Sequence, residues 1–387
     1  LLVKIHTSDM PYKDVLYGWY RNIKDNSDSQ TFINKIQFAL SIPFKHTIRT
    51  YELEHAQLQK ATGIQLNTQT GKTNKKLEYL LNYKKLLDAN LYGMDNVKSR
   101  FIQYINLKSK QVLALQGRPG MGKTAICKAH AKAIDRPIYF INVGSCTDID
   151  SLKGCNSVWS GSEPGQLSKA LAAMKVLDGI IVLDEIDKID MRDNRSNKIY
   201  NLLLQILDPI QNSHFEDEYI PGIYLDLSGI SFICTFNNIE NIDPILLDRL
   251  TVIKCKDYSK DDISIILRKH MIPKICGEYN MDPSLTDCIG ITDEAISLIR
   301  TNVKSDSMRE YEKSIHRCIS WIKIVYDIFG YSIKSVVDTD SEQLDLFYNL
   351  MGEEYKNFPI FKNGYYIDVD LVRCITVKKD TYNPMYL

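Results

Sequence analysis

No stretch of this sequence approaches the roughly 18 consecutive apolar residues that a membrane-spanning helix requires, and the N-terminus has no signal-peptide pattern. Net charge is also missing. Lys plus Arg and Asp plus Glu both number 48, so nucleic-acid binding is not indicated by any overall basic excess. The nine cysteines are odd in number, scattered, and never spaced C-x-x-C. That excludes a disulfide framework or a zinc ribbon and predicts reduced thiols in a cytoplasmic or other reducing compartment. There is no H-E-x-x-H, which excludes a zinc-peptidase site of that type. Tandem repeats and long low-complexity tracts are absent too. What is present is the composition of an ordinary globular chain: 387 residues, 44% hydrophobic and 25% charged, enough for two or three cores. The first residue is Leu1 rather than Met, which leaves a longer parent polypeptide open.

Residues 1–88 read as helical. Phe32, Ile33, Ile36 and Leu40 form an apolar set broken at Pro43, and a Lys-rich helix is predicted over 74–88, with a polar, glycine-containing loop at 62–73. Val97, Phe101, Tyr104 and Ile105 then lie on one face of a further amphipathic helix. From residue 112 the pattern changes. VLALQ (112–116), IYFIN (138–142), IIVLD (180–184), SFICTF (231–236) and VIKCK (252–256) are apolar runs of strand length separated by helical stretches. Such runs predict an α/β fold with a five-stranded parallel sheet. Beyond Lys256 the chain turns helical. Thr292 is the expected N-cap of one helix, and Ile315, Ile319, Ile322 and Val325 share a face of a longer one.

Gly117-Arg118-Pro119-Gly120-Met121-Gly122-Lys123-Thr124 fits G-x-x-x-x-G-K-[ST] and lies between a predicted strand and a helix, the setting that motif needs. Glycines let backbone amides turn toward phosphates, and the positive end of the following helix adds to the attraction. Lys123 would reach the β- and γ-phosphates of ATP, and Thr124 would hold Mg²⁺. Asp184 and Glu185 end the strand IIVLD, where open parallel sheets place their ligands. Asp184 would serve Mg²⁺, and Glu185 would activate the attacking water as general base.

With these motifs in view, the sequence resembles the AAA+ ATPase module of the Lon proteases over nearly all of 76–330. The resemblance is carried by LDANLYGMDNVKSRFIQY (87–104), LDEIDKID, NLLLQILDPIQNSHFEDEYI (201–220), PILLDRLTVIKC (244–255), LRKHMIPK (267–274) and GITDEAISLI (290–299). FALSIPF, Phe38 to Phe44, resembles a helix end in the Lon arm, with Phe44 where the family usually has tryptophan. The resemblance implies four segments: a helical arm at 1–88, a large nucleotide-binding domain at 89–257, a small helical lid at 258–330, and an extension at 331–387 that could complete the lid. It implies that Tyr92 and Gly93 line the adenine pocket. Asn237 would be the sensor that orients the lytic water, Arg249 the finger inserted by a neighbouring subunit, and Arg309 the second sensor, in the lid. It further implies a ring homo-oligomer, expected to be a hexamer, acting on a polypeptide.

The pore loop that grips substrate in that family corresponds to Val158-Trp159-Ser160-Gly161. Trp159 offers a large amphipathic surface, while Ser160 stands where the family has an aliphatic residue. No serine lies in the P-x-x-G-P-S-A-G context of the Lon nucleophile, so these residues alone cannot cleave peptide bonds. The expected function is therefore the ATPase part of an ATP-dependent protease, with the protease domain elsewhere in a longer chain. The alternatives are a stand-alone remodelling motor without a protease domain and a nucleotide-binding structural subunit.

Overall fold

The computed structural model describes residues 1–25, 29–44, 75–107, 111–155, 162–189, 194–286, 288–303, 307–329 and 366–376, with the isolated positions 345 and 349. These residues group into two units. The first comprises Leu1–Arg118 and Gly122–Lys256, and the second comprises Asp257–Leu387 together with Pro119–Met121. Trp159 and Ser160, and the predicted loop at 62–73, lie outside the described residues.

The first unit is organised by five parallel strands: β1 (Val112–Gln116), β2 (Ile138–Asn142), β3 (Ile180–Asp184), β6 (Ser231–Phe236) and β7 (Leu250–Lys254). Their order across the sheet is β2-β3-β6-β1-β7. Consecutive residues of β1, β3 and β6 are buried, so both faces of these strands are covered, which is why their sequences are continuously apolar rather than alternating. The strand predicted at 252–256 instead spans Leu250–Lys254. Beyond it the Cys255 amide still bonds to Gln116 O at 2.7 Å, so backbone pairing with β1 runs one residue past the strand.

Helices α4 (Lys75–Asn90) and α5 (Asp95–Leu107) precede β1, and α6 (Lys123–Ala133) follows it. Tyr83 of α4, Phe101 of α5 and His130 of α6 meet in a buried cluster. Tyr83 Oη lies 2.8 Å from His130 Nδ1, and the Phe101 ring centroid is 4.8 Å from the imidazole. Burial, with a smaller contribution from Arg136, pulls the His130 pKa down to about 3, so the ring is neutral.

The N-terminal helices α1 (Leu2–Thr7), α2 (Lys13–Asp25) and α3 (Ser29–Ser41) group with the sheet, and Ile5, Leu16 and Ile36 share its core. The docking contact is a buried Lys35. Its ammonium lies 5.5, 5.8 and 5.9 Å from the ring centroids of Trp19, Phe32 and Tyr219, and burial lowers its pKa.

Tyr219 belongs to the segment between α8 (Asn194–Ile206) and β6. That segment also holds a short antiparallel pair, β4 (Phe215–Glu216) and β5 (Tyr224–Leu225). Asp217 there is fully buried. It accepts hydrogen bonds from the amides of Gly165 at 2.9 Å and Tyr219 at 2.8 Å. Gly154 packs against it with φ +81°, and a Cβ at Gly154 would lie 2.1 Å from Asp217 Oδ1. Between Gly165 and β3 runs α7 (Gln166–Met174).

In the second unit, α9 (Lys260–Ile266) begins with a Ser259–Asp262 capping box and widens into a π turn, Leu267–Met271, before α10 (Ile272–Glu278). Pro273 at the start of α10 has no amide to offer the preceding turn, which explains the widening. Thr292 accepts from Ala295 N and caps α11 (Asp293–Asn302). Helix α12 (Met308–Phe329) buries Tyr311, Ile315, Ile319, Ile322 and Val325, one residue per turn. Strands β8 (Gly290–Ile291) and β9 (Tyr366–Ile367) pair in parallel, and α13 (Val369–Thr376) adds Leu371 and Val372 to this core.

Among the described residues, no helix is long and apolar enough to cross a membrane. No disulfide joins any of the nine cysteines.

Candidate active site

The sheet fixes the loop 117–122 by its ends. Gly117 N donates to Phe236 O at 3.2 Å, and a Cβ on Gly117 would press 3.0 Å from Cys255 Cβ, so β1 leaves the sheet wedged between the ends of β6 and β7. Gly120 and Gly122 have φ +77° and +88°, left-handed values that side-chain-bearing residues resist. Gly122 is also the N-cap of α6 and makes no side-chain cap there, which leaves the helix's first amides to a ligand. Lys123 opens the helix. Its ammonium donates to Gly117 O at 2.5 Å, Arg118 O at 3.2 Å and Asn237 Oδ1 at 2.7 Å. The positive charge is thus folded back into the loop and linked to the end of β6. Thr124 follows, half-buried.

Asp184 ends β3, and Thr235, buried in β6, donates its hydroxyl to Asp184 Oδ1. Glu185 has a left-handed backbone, φ +59° and ψ +42°. Its carboxylate pairs with Lys188 Nζ at 2.7 Å, a contact that raises the Lys188 pKa. Asp187, in the 3₁₀ turn Ile186–Lys188, is 7% exposed. Its Oδ2 accepts the backbone amides of Asn237 at 3.0 Å and Asn238 at 2.9 Å, while its Oδ1 is buried and has no hydrogen-bond partner among the described residues. Thr124 and Asp184 are hard oxygen donors of the kind Mg²⁺ prefers. Gln116 Oε1, at the end of β1, is likewise a buried polar atom with no hydrogen-bond partner among the described residues.

The other expected residues are more dispersed. Tyr92 and Gly93 precede α5; Gly93 has φ +68°, and Asn96 one turn later donates to Lys254 O at 2.8 Å, tying this segment to β7. Arg249 follows the turn Pro244–Leu247. Among the described residues its hydrogen bonds run to the end of α8: to Leu204 O, and to Asp208 Oδ2 at 3.2 Å. Tyr200 of α8 donates to Asp243 Oδ1 at 2.6 Å and joins the same two segments. Arg309 is exposed on the first turn of α12, in the second unit. Sequence reasoning missed Thr235 and Asp187. The signal for Thr235 was a hydroxyl near the C-terminal end of the apolar run SFICTF, and for Asp187 a third acid three residues after Asp184.

Three thiols surround the loop: Cys127 on α6, Cys234 on β6 and Cys255 after β7, all buried. Burial pushes each pKa up, Cys234 to about 12 and Cys255 to about 11.

A lysine turned into a glycine loop at the end of β1, beside an acid pair at the end of β3, is the arrangement of a nucleotide hydrolase. The profile of the AAA family (ATPase family associated with various cellular activities) matches residues 113–258. The chain is 33% identical over 269 residues to a mitochondrial Lon protease homolog of Debaryomyces hansenii, covering 67% of this chain and 24% of that protein. It is 31% identical over 303 residues to the Lon protease of Rhizobium meliloti, covering 76% of this chain and 35% of that protein. With the mitochondrial Lon protease homolog of Caenorhabditis briggsae it shares 33% identity over 254 residues, 64% and 26% of the two chains. The chain carries an AAA ATPase domain and is similar to Lon proteases over about two thirds to three quarters of its length. It spans about a quarter to a third of the length of these relatives, and its reaction is ATP hydrolysis.

Proposed function

We propose that this AAA ATPase uses ATP hydrolysis to unfold and move a polypeptide, as the motor part of an ATP-dependent protease, in a ring of identical subunits, most simply a hexamer. The observation that carries the reading is the Lys123–Asn237 contact, which joins the loop to the end of β6 next to the acid pair of β3. In this reading the loop amides and Lys123 hold the phosphates. Thr124 and Asp184 hold Mg²⁺, which when bound offsets the negative charge of the phosphates. Glu185 takes the proton of the attacking water. The Asn237 amide orients that water, and Lys123 is drawn off Asn237 toward the phosphates when nucleotide arrives.

Arg249 serves the site of the neighbouring subunit, held in place by Leu204 and Asp208, and Arg309 reports the nucleotide state from the second unit. Tyr92 and Gly93 line the base pocket. Trp159 and Ser160 belong to the loop that grips the chain. The proposal is tested by following unfolding of a tagged fluorescent protein by the assembled ring with ATP. Glu185→Gln should bind ATP yet unfold nothing, and Trp159→Ala should lose both unfolding and the stimulation of ATPase by substrate. A Trp159→Ala protein that unfolds substrate at the parent rate would remove the pore-loop assignment.

A further inference from the structure

We infer that Asp187 is a positioning residue for hydrolysis: it sets the Asn237 amide relative to the base Glu185. The inference rests on the reading of Asn237 as the group that orients the attacking water. Strands β3 and β6 are paired in parallel, with Leu183 opposite Cys234. One residue further on, Asp184 receives the Thr235 hydroxyl. The β3–β6 ladder has ended there, and on its other side β6 stays paired with β1 only as far as Phe236, so regular strand pairing stops one residue short of Asn237. Asp187 supplies the missing restraint. The 3₁₀ turn after Glu185 brings its carboxylate back over the end of β6, where one oxygen accepts two successive amides, Asn237 N and Asn238 N. Two successive amides tied to one buried carboxylate oxygen fix the backbone at Asn237. Its side chain is then presented toward Lys123.

Five consecutive residues, 184–188, thereby provide the metal-binding acid, the base and the anchor for the water-orienting amide. Base and amide are held by one short piece of chain rather than by two independent strand ends. Proper spacing between them matters because a misplacement of about 1 Å in a reacting group can cost on the order of 100-fold in rate. The alternative is that Asp187 merely caps β6 and contributes to stability alone.

A kinetic double-mutant cycle on the 387-residue chain separates these cases. Steady-state ATPase, ATP affinity and melting temperature are measured for Asp187→Ala, Asp187→Asn, Asn237→Ala and Asp187→Ala/Asn237→Ala. Asp187→Ala should lower kcat by about 10- to 100-fold with ATP affinity within about two-fold of the parent. Asp187→Asn keeps an acceptor oxygen and should recover most of the rate. In the Asn237→Ala background, Asp187→Ala should cost nothing further. Fully additive losses would overturn the inference while leaving Asn237 in its role. So would a fall in kcat that only tracks lost stability and lost ATP binding across both Asp187 variants. Parent activity in Asn237→Ala alone would instead retire the water-orienting role, and the inference with it.

Discussion

Glu185 stands in a backbone conformation that its own side chain disfavours. Its φ of +59° and ψ of +42° lie in the left-handed region, which costs a residue with a Cβ roughly 1–2 kcal/mol. The surroundings hold it there: Lys188 N donates to Glu185 O at 3.1 Å, and Gly144 packs so closely that a Cβ on it would meet Glu185 Cβ at 3.0 Å. Replacing Glu185 by Gly relieves the strain but frees the unfolded chain, which returns about 0.4–1 kcal/mol. The net expectation is about 0.5–1 kcal/mol in favour of glycine. Glu185→Gln is the proper reference, because it removes the carboxylate's charge and weakens the largely exposed Lys188 pair, as glycine does, while keeping the Cβ. In nucleotide-free buffer, Glu185→Gly should therefore melt above Glu185→Gln by about 1–4 °C for a unit of this size. Both variants should have lost most turnover. If Glu185→Gly melts at or below Glu185→Gln, the base is not held under backbone strain and the argument fails.

Three further outcomes are expected. Mixing Arg249→Ala with Glu185→Gln subunits, each inactive alone, should restore part of the ATPase activity at mixed interfaces, and parent activity in dilute monomers would contradict a finger working between subunits. Gly154→Ala must accept both φ +81° and a Cβ 2.1 Å from Asp217 Oδ1; it should lose at least about 2 kcal/mol in denaturant unfolding, whereas Gly277→Ala, with open space around its Cβ, should not. His130 has a folded-state pKa of about 3 against 6.5 unfolded, so the unfolded chain binds the extra proton. Stability from this residue is complete above pH 6.5 and falls as pH drops toward 3, by about 2 kcal/mol between pH 7 and 5. His130→Gln should flatten the slope in that window, as read from urea midpoints.

The parallel sheet was legible because buried central strands such as IIVLD and VLALQ carry no polar alternation, and the nucleotide loop because its glycines and Lys123 have fixed spacing. What escaped was set by contacts distant in sequence. Nothing in residues 1–44 says that Ile5, Leu16 and Ile36 join the core of the sheet, or that Lys35 sits among aromatic rings, one of them from Tyr219. The pair Phe215–Glu216 and Tyr224–Leu225 is too short for any periodicity to announce. Asp187 reads as one more surface acid until the turn after Glu185 carries it over the end of β6.

The burial of Cys127, Cys234 and Cys255 has a consequence for handling the protein. At neutral pH these thiols hold almost no thiolate, and thiolate is the species that attacks maleimides, iodoacetamide and peroxide. Cys288, in the second unit, is the exposed member of the nine. A thiol dye added briefly should therefore mark Cys288 first, ahead of the half-buried Cys146, Cys155 and Cys374, and leave the three thiols around the loop unmodified. The chain thus carries a reporter position on one unit that can be read without first stripping cysteines from around the nucleotide loop of the other.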